Sequence, residues 1–144
     1  MNGNRLHDIG LLLLRVAAGA MLFLGHGWAK ITHFSERAGL FANPIHLGSV
    51  PSFTLVVFAE IFCSALVAVG LLTRWAVVPI VIFMLVAGFI QHAQDPWNRK
   101  ELAFMYLAAF LPLLFTGPGR FSIDALIAKR RSGRAGPDVG VGRA

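Results

Sequence analysis

Three ionisable side chains, Arg15, His26 and Lys30, fall inside the apolar run LLLLRVAAGAMLFLGHGWAK at residues 11–30. Such a group near the centre of a membrane helix costs roughly 2.5–3.5 kcal/mol on insertion scales, so three in one span ask for a chemical or structural reason. At about 100° per residue, the step from Arg15 to His26 turns a helix by about 20°, and the step to Lys30 adds about 40°. All three share one side with Gly19, and Leu13, Met21, Leu24 and Trp28 cover much of the rest. A second apolar run carries Glu60 and Cys63 one helical step apart, and His92 and Glu101 border the polar break before the last run. An imidazole beside a desolvated carboxyl exchanges protons near neutral pH. His26 with Glu60 is therefore the expected catalytic couple, and a structural pair that fixes helix register is the alternative.

The elements that must hold these groups are membrane helices. Hydrophobic residues make up 56% of the 144 and charged residues 14%, and the mean hydropathy is +0.68. That leaves too little polar surface to cover a water-soluble fold of this size. The apolar residues form four blocks, which predicts an all-α integral membrane four-helix bundle. Its spans are expected at about 9–31, 53–72, 76–92 and 101–116, within a domain of residues 1–126. Residues 127–144 read as a basic, disordered tail.

The first apolar run exceeds a secretory h-region, and no A-x-A-like site follows it, so it is expected to stay as a transmembrane helix. The single Cys63 has no second thiol for a disulfide, a redox pair or a zinc site. A net charge of +6 does not point to nucleic acid, because much of the excess lies after the last span, at Lys129, Arg130, Arg131, Arg134 and Arg143. Such a tail faces lipid and sets topology.

Residues 32–52 form a long linker broken by Pro44 and Pro51, with Ser35 as N-cap of a short turn; surface loop and lid are equally expected. Only Arg74 and Trp75 separate the second and third spans, which forces them antiparallel. Pro79 falls in a first turn, where a missing N–H is tolerated, and Pro112 is expected to kink the fourth span or weaken its last turn. Arg5, Arg74 and six basic residues from Arg120 onward lie on the side of the termini, against Arg37, Arg99 and Lys100 on the other. Both termini are therefore predicted to be cytoplasmic.

Depth sorts the polar groups. With about 1.5 Å of rise per residue, His26, Lys30, Glu60, His92 and Glu101 gather in the outer half and Arg15 in the inner half. The outer set is the candidate pocket. Lys30, His92 and Glu101 would bind a ligand's polar atoms, and Phe62 or Phe89 would stack on a ring. The Phe-rich faces, which also include Phe58, Phe83, Phe104 and Phe110, serve first as packing and lipid contact, but they suit a flat ring such as a quinone. Arg15, Arg74, Arg120 and Asp124 are expected to be structural, with Arg15 pinning the C-terminal segment. No HxxxH or ExxH spacing supports a metal site. No P-loop, dinucleotide fingerprint, nucleophile elbow or haem motif is present.

The runs RVAAGAMLFLGHGWAKI at 15–31, FAEIFCSALVAVGLLTR at 58–74 and GPGRFSIDAL at 117–126 resemble the three hallmark blocks of the DoxX family. The resemblance covers about residues 11–126. The family's early arginine would be Arg15, its HGxxK segment His26, Gly27 and Lys30, its buried glutamate Glu60, and its terminal block Gly117 to Asp124. The resemblance implies a four-span protein of the bacterial cytoplasmic membrane and, more remotely, redox work at the quinone pool. The expected function is thus a quinone-linked membrane subunit working with a soluble redox partner. The alternative is a non-enzymatic scaffold or assembly partner for a soluble oxidoreductase. A transporter ranks last, for lack of an inverted repeat.

Overall fold

The computed structural model describes residues 3–132, whose regular elements are all helical, with no strand among them. The first long helix, α1, runs from Gly3–Leu22 through a π-helical turn at Phe23–Gly27 into Trp28–Thr32. The linker holds a short helix, α2, at Phe34–Arg37, continued by a 3-10 turn at Ala38–Leu40. Next, α3 joins Ser49–Val57, a second π-helical turn at Phe58–Cys63, and Ser64–Val69. Then α4 joins Thr73–Leu85 to a third π-helical turn at Val86–Gln91. Two further helices follow, α5 at Trp97–Thr116 and α6 at Ile123–Ser132.

Three of these helices, over Arg5–Thr32, Ser49–Val69 and Thr73–Gln91, are long and apolar enough to cross a membrane. The fourth, α5, is 20 residues long. Its first turns carry Arg99, Lys100 and Glu101, which shorten its apolar run. Leu22, Val67, Val77, Ile80, Phe110 and Leu113 form the dry centre where the four long helices meet. Gly19 allows α1 and α3 to touch, since a Cβ there would lie 2.8 Å from the Ser64 carbonyl oxygen and 2.9 Å from Ala68 Cβ.

The turn between α3 and α4 begins earlier than expected. Gly70 adopts φ 77° and its N–H, with that of Leu71, closes α3 on the Leu66 carbonyl. Asp124 then accepts the backbone N–H groups of Leu72 and Thr73 at 2.8 and 3.1 Å, so a distant carboxylate caps α4 three residues ahead of the expected start. Pro112 sits inside the unbroken α5. The C-terminal segment also differs from its expected extent: α6 continues through Lys129, Arg130 and Arg131 of the expected tail. Arg134, Arg143 and the remainder of that expected tail lie outside the described residues.

The linker folds back over the bundle end from which it leaves. Phe34 and Phe41 pack on Phe53 with ring centroids 5.2 and 5.0 Å apart, and Ala38 is buried with Val57 and Ile61 beneath them. These contacts hold the linker against α3.

Candidate functional site

Glu60 lies within the π-helical turn of α3 with its side chain 2% exposed, and Lys30 of α1 reaches it with both carboxylate oxygens in range, at 2.5 and 2.6 Å. The aliphatic stem of a lysine suits this reach across a helix interface, with the ammonium at its tip. Gly27 makes the approach possible, because a Cβ there would lie 2.8 Å from the Glu60 carbonyl oxygen and 2.6 Å from Ile61 Cδ1. Ser64 donates its hydroxyl to that same carbonyl, whose intrahelical bonding the wide turn alters. The Lys30 ammonium also stands 5.7 Å from the centroid of Phe83.

Beside the pair opens a cavity of about 630 Å³ between α3, α4 and the linker. Its walls are apolar, with Phe41, Phe58, Phe83 and Pro79 prominent, and Lys30, Ser52, Gln91 and His92 supply its polar atoms. Two of the three π-helical turns contribute lining residues, Phe58 from α3 and Val86, Ala87 and Gln91 from α4. The third places Gly27 against Glu60. Wide turns of this kind recur at functional sites because they aim side chains that a regular helix would not.

The other expected residues distribute around this centre. His26 packs edge-on against Tyr106 at 5.6 Å, and the carboxylate it was expected to meet is bonded to Lys30. Nearness in depth along the axis is the ground for expecting that pairing, and it takes no account of direction around the axis, which the π-helical turn at Phe23–Gly27 offsets for every position that follows it. His92 lines the cavity rim and hydrogen-bonds Asp95 at 2.7 Å through Nδ1. That hydrogen bond, with Arg99, His92 and Lys100 nearby, holds the Asp95 carboxyl below the usual carboxylate range. Glu101 is exposed at the start of α5 and lines no wall of the cavity. Phe62 stacks on Phe58, and Phe89 meets Phe104 edge-on; both are mostly exposed and outside the cavity, whose aromatic walls are Phe41, Phe58 and Phe83. No group of three or more metal-ligating side chains occurs among the described residues.

A second polar cluster sits at the opposite end of the bundle. Arg15, 1% exposed, donates to the carbonyls of Pro118 and Phe121 at 2.6 and 2.5 Å. Asp8 accepts the backbone N–H of Arg120, and Arg74 donates to the Phe115 carbonyl, each at 3.1 Å. Ser122 caps α6 by accepting the Ala125 N–H. Gly117 and Gly119 have φ near 75°, a conformation that favours glycine, and they turn the chain so that its carbonyls face Arg15. Every contact in this cluster joins a side chain to backbone, so it fastens the segment after α5 and leaves no reactive group facing a cavity.

Residues 10–93 match the DoxX family. The chain is 33% identical over 132 residues to the inner membrane protein YqjF of Escherichia coli (strain K12), an alignment that takes in 88% of this chain and 98% of that one. It is 37% identical over 86 residues to the membrane protein Rv3486 of Mycobacterium tuberculosis, covering 49% of this chain and 52% of the relative. A Haemophilus influenzae protein is 28% identical over 131 residues, or 84% of this chain and 85% of its own length. No solved structure matches. With a family match over more than half its length, an almost full-length inner-membrane relative and three helices able to span a bilayer, this chain belongs to the DoxX family and is a multi-pass protein of the bacterial inner membrane.

Proposed function

We propose that this protein binds a small amphipathic ligand of the quinone class in the cavity beside Lys30 and Glu60, and that the pair supports proton-coupled redox chemistry there. The observation that carries the reading is a partly buried, doubly hydrogen-bonded ion pair whose lysine lines a large apolar cavity. Ligand sites are mostly apolar with a few convergent polar groups, and this cavity has that composition. Its volume, about 630 Å³, and its Phe41, Phe58 and Phe83 walls fit a substituted ring.

A bound quinone would supply the two-electron chemistry, with electrons exchanged through a soluble redox partner. The chain's own residues have distinct tasks. Lys30 carries three N–H donors and gives two to Glu60, so the third is free for a ligand oxygen. Glu60 is the proton-carrying group within reach of that ammonium, and His92 at the rim leads from the cavity toward Asp95 and solvent. His26 stands one helical turn from Lys30, against Tyr106. The distribution of Lys and Arg supports termini on the cytoplasmic side, which puts the cavity in the outer half of the bilayer.

The test is binding of a short-chain ubiquinone to purified protein, followed by tryptophan fluorescence, in the wild type, Glu60→Gln, Lys30→Met and His26→Ala. Loss of binding in the first two supports the reading. Unchanged affinity in both, with unchanged pH dependence, overturns it. Retention of a soluble oxidoreductase by protein that binds no quinone would favour the scaffold instead, with the exposed basic end of α6 at Lys129–Arg131 as the contact.

A further inference from the structure

Lys30 faces two cavities. Besides the large one, it lines a smaller space of about 270 Å³ with Arg37, Leu40, Phe41 and Phe53, formed where the linker folds over α3. Two cations share its wall with three apolar side chains, and no acid does. Arg37 forms no side-chain hydrogen bond or ion pair within the described residues, whereas Lys30 is already neutralised by Glu60. Glu36, the neighbouring acid, is exposed and outside the cavity wall.

We propose that this smaller cavity binds the phosphodiester headgroup of an anionic phospholipid from the leaflet on the linker side. The charge count selects the chemistry. Lys30, Glu60 and Arg37 together carry one net positive charge, which a singly charged phosphodiester balances and a doubly charged phosphate overshoots. The donors fit as well. The Arg37 guanidinium offers a planar fork suited to two phosphate oxygens, and the Lys30 ammonium adds positive charge at the same wall while it stays bonded to Glu60. Leu40 is 89% exposed beside these cations, which gives the glycerol and the start of the acyl chains an apolar path from the headgroup site into the bilayer. A single basic side chain at a membrane surface changes anionic lipid affinity by about fivefold, so Arg37 sets the expected effect.

The smaller site adjoins the larger one through Lys30 and Phe41, but Arg37 and Leu40 line only the smaller, so a change at Arg37 tests it apart from the quinone reading. The experiment is native mass spectrometry of the full chain titrated with phosphatidylglycerol, with phosphatidylcholine as the lipid of equal tail length and zwitterionic head. Arg37→Gln alters an exposed linker residue and is expected to leave folding intact. The expected result is retention of phosphatidylglycerol over phosphatidylcholine, about fivefold weaker in Arg37→Gln and recovered in part by Arg37→Lys, with ubiquinone binding unchanged in both variants. Equal retention of the two lipids, or an Arg37→Gln variant indistinguishable from the wild type, overturns the proposal. Displacement of phosphatidylglycerol by millimolar inorganic phosphate would also overturn it, by assigning the site to the free anion.

Discussion

Replacing Lys30 by Met tests whether the ion pair holds the bundle together or only occupies it. Lys30 gives two hydrogen bonds to a carboxylate that is 2% exposed, while its own side chain is 20% exposed. Removing one partner of a buried pair costs about 3–5 kcal/mol, because the other charge stays behind without compensation. The partial contact of Lys30 with its surroundings puts Lys30→Met near the low end, about 3 kcal/mol. Glu60→Leu should cost less, about 1–2 kcal/mol, since the abandoned ammonium can swing toward the interface on its flexible stem. The double variant replaces the whole pair by apolar groups of similar volume and should lie within about 1 kcal/mol of the wild type. The singles thus sum to about 4–5 kcal/mol and the double to about 1, a coupling of roughly 3–4 kcal/mol. Reversible unfolding in mixed micelles, followed by far-ultraviolet circular dichroism, reads all four corners of the cycle. A double variant whose loss equals the sum of the singles to within about 0.5 kcal/mol would refute the pairing as an energetic unit. The double variant also separates stability from function: it should fold well and bind no quinone.

The far end of the bundle makes its own predictions. Gly70→Ala should destabilise by about 2–4 kcal/mol, measured as a fall in thermal midpoint, because the residue holds φ 77° and an added Cβ would stand 2.7 Å from both Arg15 Cζ and Ser122 Cβ. Asp124→Ala removes the cap of α4 and should cost about 1–2 kcal/mol, with faster hydrogen exchange at the amides of Leu72 and Thr73 as its local signature. At the cavity rim, the Asp95 carboxyl is depressed by its hydrogen bond from His92, so the contact's contribution is complete above the ordinary carboxyl value near about 3.9 and is lost as pH falls through the lower folded value. An NMR titration of the Asp95 carboxyl carbon should therefore show its midpoint below that of a free aspartate and rise toward it in His92→Ala, with Arg99 and Lys100 keeping part of the depression.

Position along a helix axis was legible in the sequence, and direction around the axis was only partly so. Rise per residue is nearly fixed, so spacing alone put Lys30 and Glu60 at one end of the bundle and Arg15 at the other. Rotation accumulates, and each π-helical turn offsets the face of everything beyond it. The three turns lie at Phe23–Gly27, Phe58–Cys63 and Val86–Gln91, so faces drawn on regular helices fail around the cavity, where Lys30 stands at Glu60 in place of His26. The one local hint was glycine: Gly25 and Gly27 flank His26, and Gly88 lies within the third turn. The cavity walls were hidden for a different reason. Phe41 becomes a wall only because the linker packs on Phe53, a contact that neither periodicity nor turn residues announce. The terminal end was more readable in one part, the GPG turn, whose geometry is local. What no local rule supplies is a long-range cap, such as Asp124 on the α4 amides 51 and 52 residues away. The consequence for function is a division of labour. One end is fastened by side chains bonded to backbone, and the proposed ligand site lies at the other, where wide turns, a folded-back linker and a partly exposed ion pair leave fewer such bonds.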